Sequence, residues 1–189
     1  MLLLLGLTCL AARAEPPRHA TLPFDAARSQ AAFTVKVLWL IGLHGEFGAV
    51  RGNVTVDHFR GTARVHATIA TDDLRMRSRH YETWARSSEF FDARHFPHIA
   101  FDSEPFPLAR LRDGGPIEGG LTLRGITRAV RFELLPSECK TPLRGACAVL
   151  AEGDIQRSDF GMHSHRHAVA DKVALRMRIF VTPTADAAS

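Results

Sequence analysis

From Ser29 onward apolar and polar residues alternate with a period of two. Phe33, Val35 and Val37 alternate with Thr34, Lys36 and Leu38, Val54 and Val56 with Asn53 and Thr55, and Val65, Ala67 and Ile69 with Arg64, His66 and Thr68. The pattern returns in Ile99-Ala100-Phe101, in Val130, Phe132 and Leu134, and most clearly in Val173, Leu175, Met177, Ile179 and Val181. Successive side chains of a strand point to opposite faces, so each run predicts a strand with one buried face. Turn signals separate the runs: Gly42, Gly45 and Gly48, Asp57 to Gly61, Arg112 to Pro116, and Gly125 before Ile126. Short strands at near-regular spacing, without long helices between them, predict an all-β fold, either an antiparallel barrel or a sandwich. The one helical candidate is 77–91, where Tyr81, Trp84 and Ser88 fall on one side and Arg79, Glu82 and Arg86 on the other. It predicts a short helix lying over one end of a barrel.

Composition adds class and compartment. The chain has 189 residues, 46% hydrophobic and 23% charged, which is the balance of a globular protein, and no linker, repeat or low-complexity tract divides it. Its formal net charge is +4, and its arginines are scattered rather than clustered, so no nucleic-acid footprint is present in the sequence. The first residues, Met-Leu-Leu-Leu-Leu-Gly-Leu-Thr-Cys-Leu, form an apolar run too short to span a bilayer, and Ala12-Arg13-Ala14 supplies a small-x-small cleavage pattern. Residues 1–14 are therefore expected to be a removed export signal, residues 15–189 a single barrel domain, and the destination periplasmic. Cleavage would take Cys9 with it and leave Cys139 and Cys147, an even pair around a Pro- and Gly-containing segment. In an oxidising compartment they are expected to form a disulfide across a strand-loop-strand; in a reducing one they would be two free thiols.

Several segments, taken in order, resemble the YceI-like family. They are Phe33-Thr34-Val35-Lys36, Gly45-Glu46-Phe47 with Gly52, Arg86 to Asp92 followed by Phe96 to Phe101, Gly120 to Thr127, and Ile155 to Met162, and together they cover most of residues 24–181. The resemblance implies an eight-stranded antiparallel lipocalin-like barrel with a short capping helix and a long apolar interior cavity. It also implies a non-catalytic, exported binding protein for an isoprenoid lipid, such as a polyprenyl phosphate or an isoprenoid quinone, or a similar long amphiphile. Transient contact with a membrane and a homodimer are both compatible with that role. The chain departs from the family pattern at Lys36, where a histidine often follows Phe-x-Val, at Ala85 and at Ala129.

A barrel of about eight strands either fills itself with side chains or holds one small ligand. The inward faces are apolar almost throughout, so an occupant would be apolar too. Phe33, Val35, Phe47, Phe101, Leu121, Leu123, Phe160 and Met162 are the cavity-lining candidates, ordinary core packing being the alternative for each. Trp39, Trp84, Phe90 and Phe91 are candidates for the mouth. His163, His165 and His167 alternate in a way that invites a metal or hydrolytic reading, but neither cysteine nor carboxylate completes a ligand set, and a solvated loop accounts for them. Arg157 and Asp159 invite an acid–base reading with His98 or His163 as helper, but as two strand residues at i, i+2 they share a face, and a wall-fixing ion pair is expected between them. No nucleophile elbow, zinc-protease helix, phosphate loop or dinucleotide fingerprint occurs, and neither a cofactor nor catalysis is expected. A filled barrel acting only through its surface is the remaining alternative.

Overall fold

A computed structural model describes residues 19–139, 142–144 and 147–182. The expected export signal, 1–14, lies outside the described residues. The strands are β1 (His19–Pro23), β2 (Gln30–Val37), β3 (Ile41–Phe47), β4 (Val50–Asp57), β5 (Thr62–Ala70), β6 (Leu74–Met76), β7 (His98–Ser103), β8 (Phe106–Pro107), β9 (Gly115–Leu123), β10 (Ile126–Leu134), β11 (Val149–Gln156) and β12 (Val169–Ile179). Two helices, α1 (Arg79–Arg86) and the single turn α2 (Arg110–Asp113), accompany them.

All pairings between these strands are antiparallel, in the order β1-β4-β5-β7-β9-β10-β11-β12-β2-β3-β6, with β8 beside β5. Twelve strands replace the eight expected, for two physical reasons. β3 and β4 are one covalent stretch bent at Gly48-Ala49: its first half pairs with β2 and its second with β5, which joins the two sides of the sheet into a barrel with eight walls. The short β1, β6 and β8 are additions to that ring.

Glycine-rich strands explain why β3 and β11 escape a reading by alternation. Phe33 lies directly opposite Gly45, and Phe132 opposite Gly153. A Cβ on Gly45 would come within 2.4 Å of the Phe33 ring, and one on Gly153 within 2.5 Å of the Phe132 ring. These glycines make room for an aromatic ring lying across the neighbouring strand.

α1 is shorter than the predicted 77–91, ending at Ser87, whose backbone turns to extended geometry. Glu82 and Arg86, expected to face solvent, instead hold β6: Glu82 Oε2 accepts the Met76 N–H at 3.1 Å, and Arg86 pairs with Glu82 at 3.1 Å and donates to the Leu74 carbonyl. At the opposite end of the barrel Cys139 and Cys147 form the disulfide, with Cα atoms 6.0 Å apart. A loop this short gains about 2.5 kcal/mol in the chain-entropy account.

The β2–β3 turn is strained. Leu38 and Trp39 both take positive φ, 49° and 65°, and the Leu40 N–H donates to the Val37 carbonyl. Two positive φ angles in succession are the signature of a turn that favours Asn-Gly, and an L-residue there costs about 1 kcal/mol. Replacing Leu38-Trp39 with Asn-Gly is therefore expected to raise stability by ~1 kcal/mol, read as a higher denaturant midpoint at unchanged m-value.

Candidate functional site

The barrel encloses a cavity of about 200 Å³ lined by side chains from every wall strand. Along β9 alone the lining runs from Ile117 to Leu123, about 20 Å by strand rise. Val35, Val65, Ala67, Ile69, Leu175 and Met177 also line it, half-buried and packed against the buried core.

Ten of the twelve residues singled out in the sequence line this space: Phe33, Val35, Phe47, Trp84, Phe90, Phe91, Phe101, Leu121, Leu123 and Met162. Phe33, Phe47 and Phe91 form a triangle with ring centroids 5.5 to 6.1 Å apart, and Phe101 packs edge-on to Phe132 at 5.2 Å. Two residues do not line it. Trp39 is 71% exposed, because it sits in the β2–β3 turn beyond the alternating part of β2. Phe160 is fully buried in the 3₁₀ turn Arg157–Phe160, where it packs as core.

α1 and the turns after it cover one end, the one expected to be the mouth. Tyr81, Trp84, Phe90 and Phe91 reach the cavity from this segment, while the loop 161–168 meets it from the other side. The Trp84 indole N–H donates to Glu89 Oε2 at 2.8 Å, and the same oxygen lies 3.1 Å from His165 Nε2. The His165 ring stacks parallel to Phe90 and meets Trp84 edge-on at 5.1 Å. The Trp84 hydrogen bond, followed by that of His165, holds the Glu89 carboxyl below its usual range. Because the folded pKa lies below the unfolded one, this link contributes fully above the ordinary glutamate range and is lost as pH falls through the lowered value. In a Trp39→Phe background, acid titration of Trp84 emission is expected to show a transition below the usual glutamate pKa that Glu89→Gln abolishes. An identical titration in Glu89→Gln would remove Glu89 from the account of the mouth.

Arg157 is the only charged residue lining the cavity among those described, and it is buried. The expected pair with Asp159 is not formed, because the chain leaves β11 at Gln156 and strand parity no longer applies. The guanidinium instead donates to three main-chain carbonyls: Met162, Val169 at 3.0 Å and Ala170 at 3.1 Å. Burial lowers its pKa and the charge of Asp171 opposes that shift. Three of its five N–H groups are engaged by these bonds, leaving donor capacity beside the Phe90 ring, 5.9 Å away. His163, His165 and His167 sit in an exposed loop rather than a strand, and among the described residues no three His, Cys, Asp or Glu side chains are grouped to hold a metal ion.

A ring of antiparallel strands around one apolar cavity, with a helix over its mouth, defines a lipocalin-like barrel. The YceI-like domain model matches residues 23–181, and the chain belongs to that family. Protein YceI of Salmonella arizonae is 30% identical over 146 residues, 76% of this chain and 75% of that protein. Among solved structures, Burkholderia cenocepacia BcnA superposes with a TM-score of 0.68 at 20% identity, covering 82% of this chain and 98% of that one. A polyisoprenoid binding domain from Saccharophagus degradans, implicated in plant cell wall breakdown, gives 0.64 at 12% identity, covering 86% and 98%.

Proposed function

We propose that this protein is an exported, periplasmic carrier that holds an isoprenoid lipid, a polyprenyl phosphate or isoprenoid quinone, or a similar long amphiphile, in its barrel. The observation that carries the proposal is the cavity wall, apolar from all eight strands and interrupted by a single buried cation. An apolar chain gains roughly 0.8 kcal/mol for each CH₂ taken out of water, and this wall demands no polar partner along its length. Arg157, with unengaged donors at the mouth end, suits an oxygen-bearing head group. Family membership and the polyisoprenoid-binding neighbour point the same way. Function in this reading is burial and release, without turnover.

Titration with a water-dispersible isoprenoid quinone tests it, since Trp84 lines the cavity and a quinone quenches indole fluorescence. Saturable quenching ending near one equivalent is expected. Quenching that rises linearly without saturation would count against the reading.

A further inference from the structure

The β2–β3 turn is the most apolar exposed surface among the described residues. Leu38, Trp39, Leu40 and Ile41 are consecutive and 58%, 71%, 90% and 57% exposed. Two of them occupy positive-φ positions where Asn-Gly would sit without strain, so the fold carries bulky apolar groups at a cost it could have avoided.

The turn stands at the mouth end of the barrel. Val37 and Ile41 are paired in register at the close of the hairpin, and the inward faces of β2 and β3 behind them carry Val35 and Leu43, which line the cavity. One apolar track therefore runs from the cavity wall over the rim to the exposed turn. The Leu38 N–H bonds the Ala168 carbonyl at 2.7 Å and ties the turn to the loop 161–168.

Charge surrounds it on one side of the ledger only in part. Lys36 and Arg166 flank the turn, and Arg77 and Arg79 stand before and at the start of α1; all four are exposed and without an ion pair. Most acidic groups at this end are engaged: Glu46 with His44, Asp73 with Arg75, Glu82 with Arg86, Glu89 with His165, Asp92 with His95, and Asp171 with Ser158. Of these only Asp73 and Glu82 have a cation as partner; the carboxylates bonded to histidine or serine keep their charge, as do Asp72 and Asp159, so the basic character is local to the turn, at Lys36 and Arg166.

We propose that the 38–41 turn is a membrane-docking tip that inserts into an anionic bilayer surface and places the cavity mouth against it. A tryptophan and leucines rimmed by basic residues are the chemistry of the lipid–water interface, where the rings meet the head-group level and the cations meet anionic lipid. The inference rests on the carrier reading in giving the docked mouth its cargo, but the docking stands or falls separately.

Vesicle flotation tests it, using equal parts phosphatidylglycerol and phosphatidylcholine, with pure phosphatidylcholine as the comparison. Wild-type protein is expected to float with the anionic vesicles and to be released as salt is raised. Leu38→Asn with Trp39→Gly preserves the turn geometry and is expected to lower the partition about tenfold or more. Lys36→Glu with Arg166→Glu is expected to reduce it to the pure phosphatidylcholine level. Absence of flotation by wild-type protein, or flotation unchanged in the Asn-Gly variant, overturns the proposal. So does a solution dimer that the Asn-Gly variant dissociates without any vesicle binding, which would assign the tip to a second copy of the chain. Quinone loaded from detergent and retained by the Asn-Gly variant keeps the carrier reading independent of these results.

Discussion

Replacing Arg157 with leucine is expected to lower the thermal midpoint by about 10 °C. The guanidinium is buried and serves the carbonyls of Met162, Val169 and Ala170, which bridge the end of the 3₁₀ turn to the start of β12. Leucine fills much of the space but donates nothing. Each carbonyl left buried without a donor costs about 1–3 kcal/mol, so a total of ~3–5 kcal/mol is expected after partial rehydration. In a domain of this size each kcal/mol moves the midpoint by about 2–4 °C. Arg157→Lys keeps the charge, but one ammonium cannot span the three acceptors, and an intermediate loss is expected. Calorimetry on the three proteins checks this; a leucine variant melting within about 2 °C of wild type would contradict the bracing role.

The second large effect concerns the cavity. Ala67 lies on β5 between Gly52 of β4 and Phe101 of β7, and its side chain faces open space. Ala67→Phe is expected to weaken binding of an isoprenoid quinone by about 100-fold, close to 3 kcal/mol, by occupying the room the chain needs. Stability is expected to change little, because the added ring enters a void rather than a packed core. Quenching of Trp84 by the quinone reads the first quantity and the thermal midpoint the second. Unchanged affinity in a correctly folded variant would place the ligand elsewhere.

The sequence showed the fold's class wherever strand faces are apolar and uninterrupted. β2, β4, β5, β7, β10 and β12 all contain alternating runs visible without a structure. β3, β9 and β11 hold Gly45, Gly119 and Gly153 at inward positions, where an aromatic ring from the adjacent strand supplies the missing bulk. Only the pairing partner reveals that such a glycine belongs to a strand, which is why Gly42, Gly45 and Gly48 read as a turn. The bend that splits β3 from β4 and changes the strand count is likewise a property of closure rather than of local pattern.

Much of the site was readable from parity, since Phe33, Val35, Leu121 and Leu123 line the cavity from inward strand positions. Parity failed where the chain stops being a strand. Arg157 and Phe160 fall in a 3₁₀ turn, and Trp39 in a left-handed turn, so the faces expected for them do not exist. The Trp84–Glu89–His165 cluster joins residues up to 81 positions apart, and no local spacing signals it. Its nearest hint was the histidine alternation, which turned out to place His165 alone on the mouth.

The central claim is that the cavity holds a lipid. Native mass spectrometry of the full chain, expressed with export to a bacterial periplasm and followed by organic extraction, tests it most directly. A co-purified isoprenoid near one per barrel, absent from the Ala67→Phe variant, is the predicted result. Protein that emerges empty and stays empty after incubation with a quinone and with a polyprenyl phosphate would contradict it.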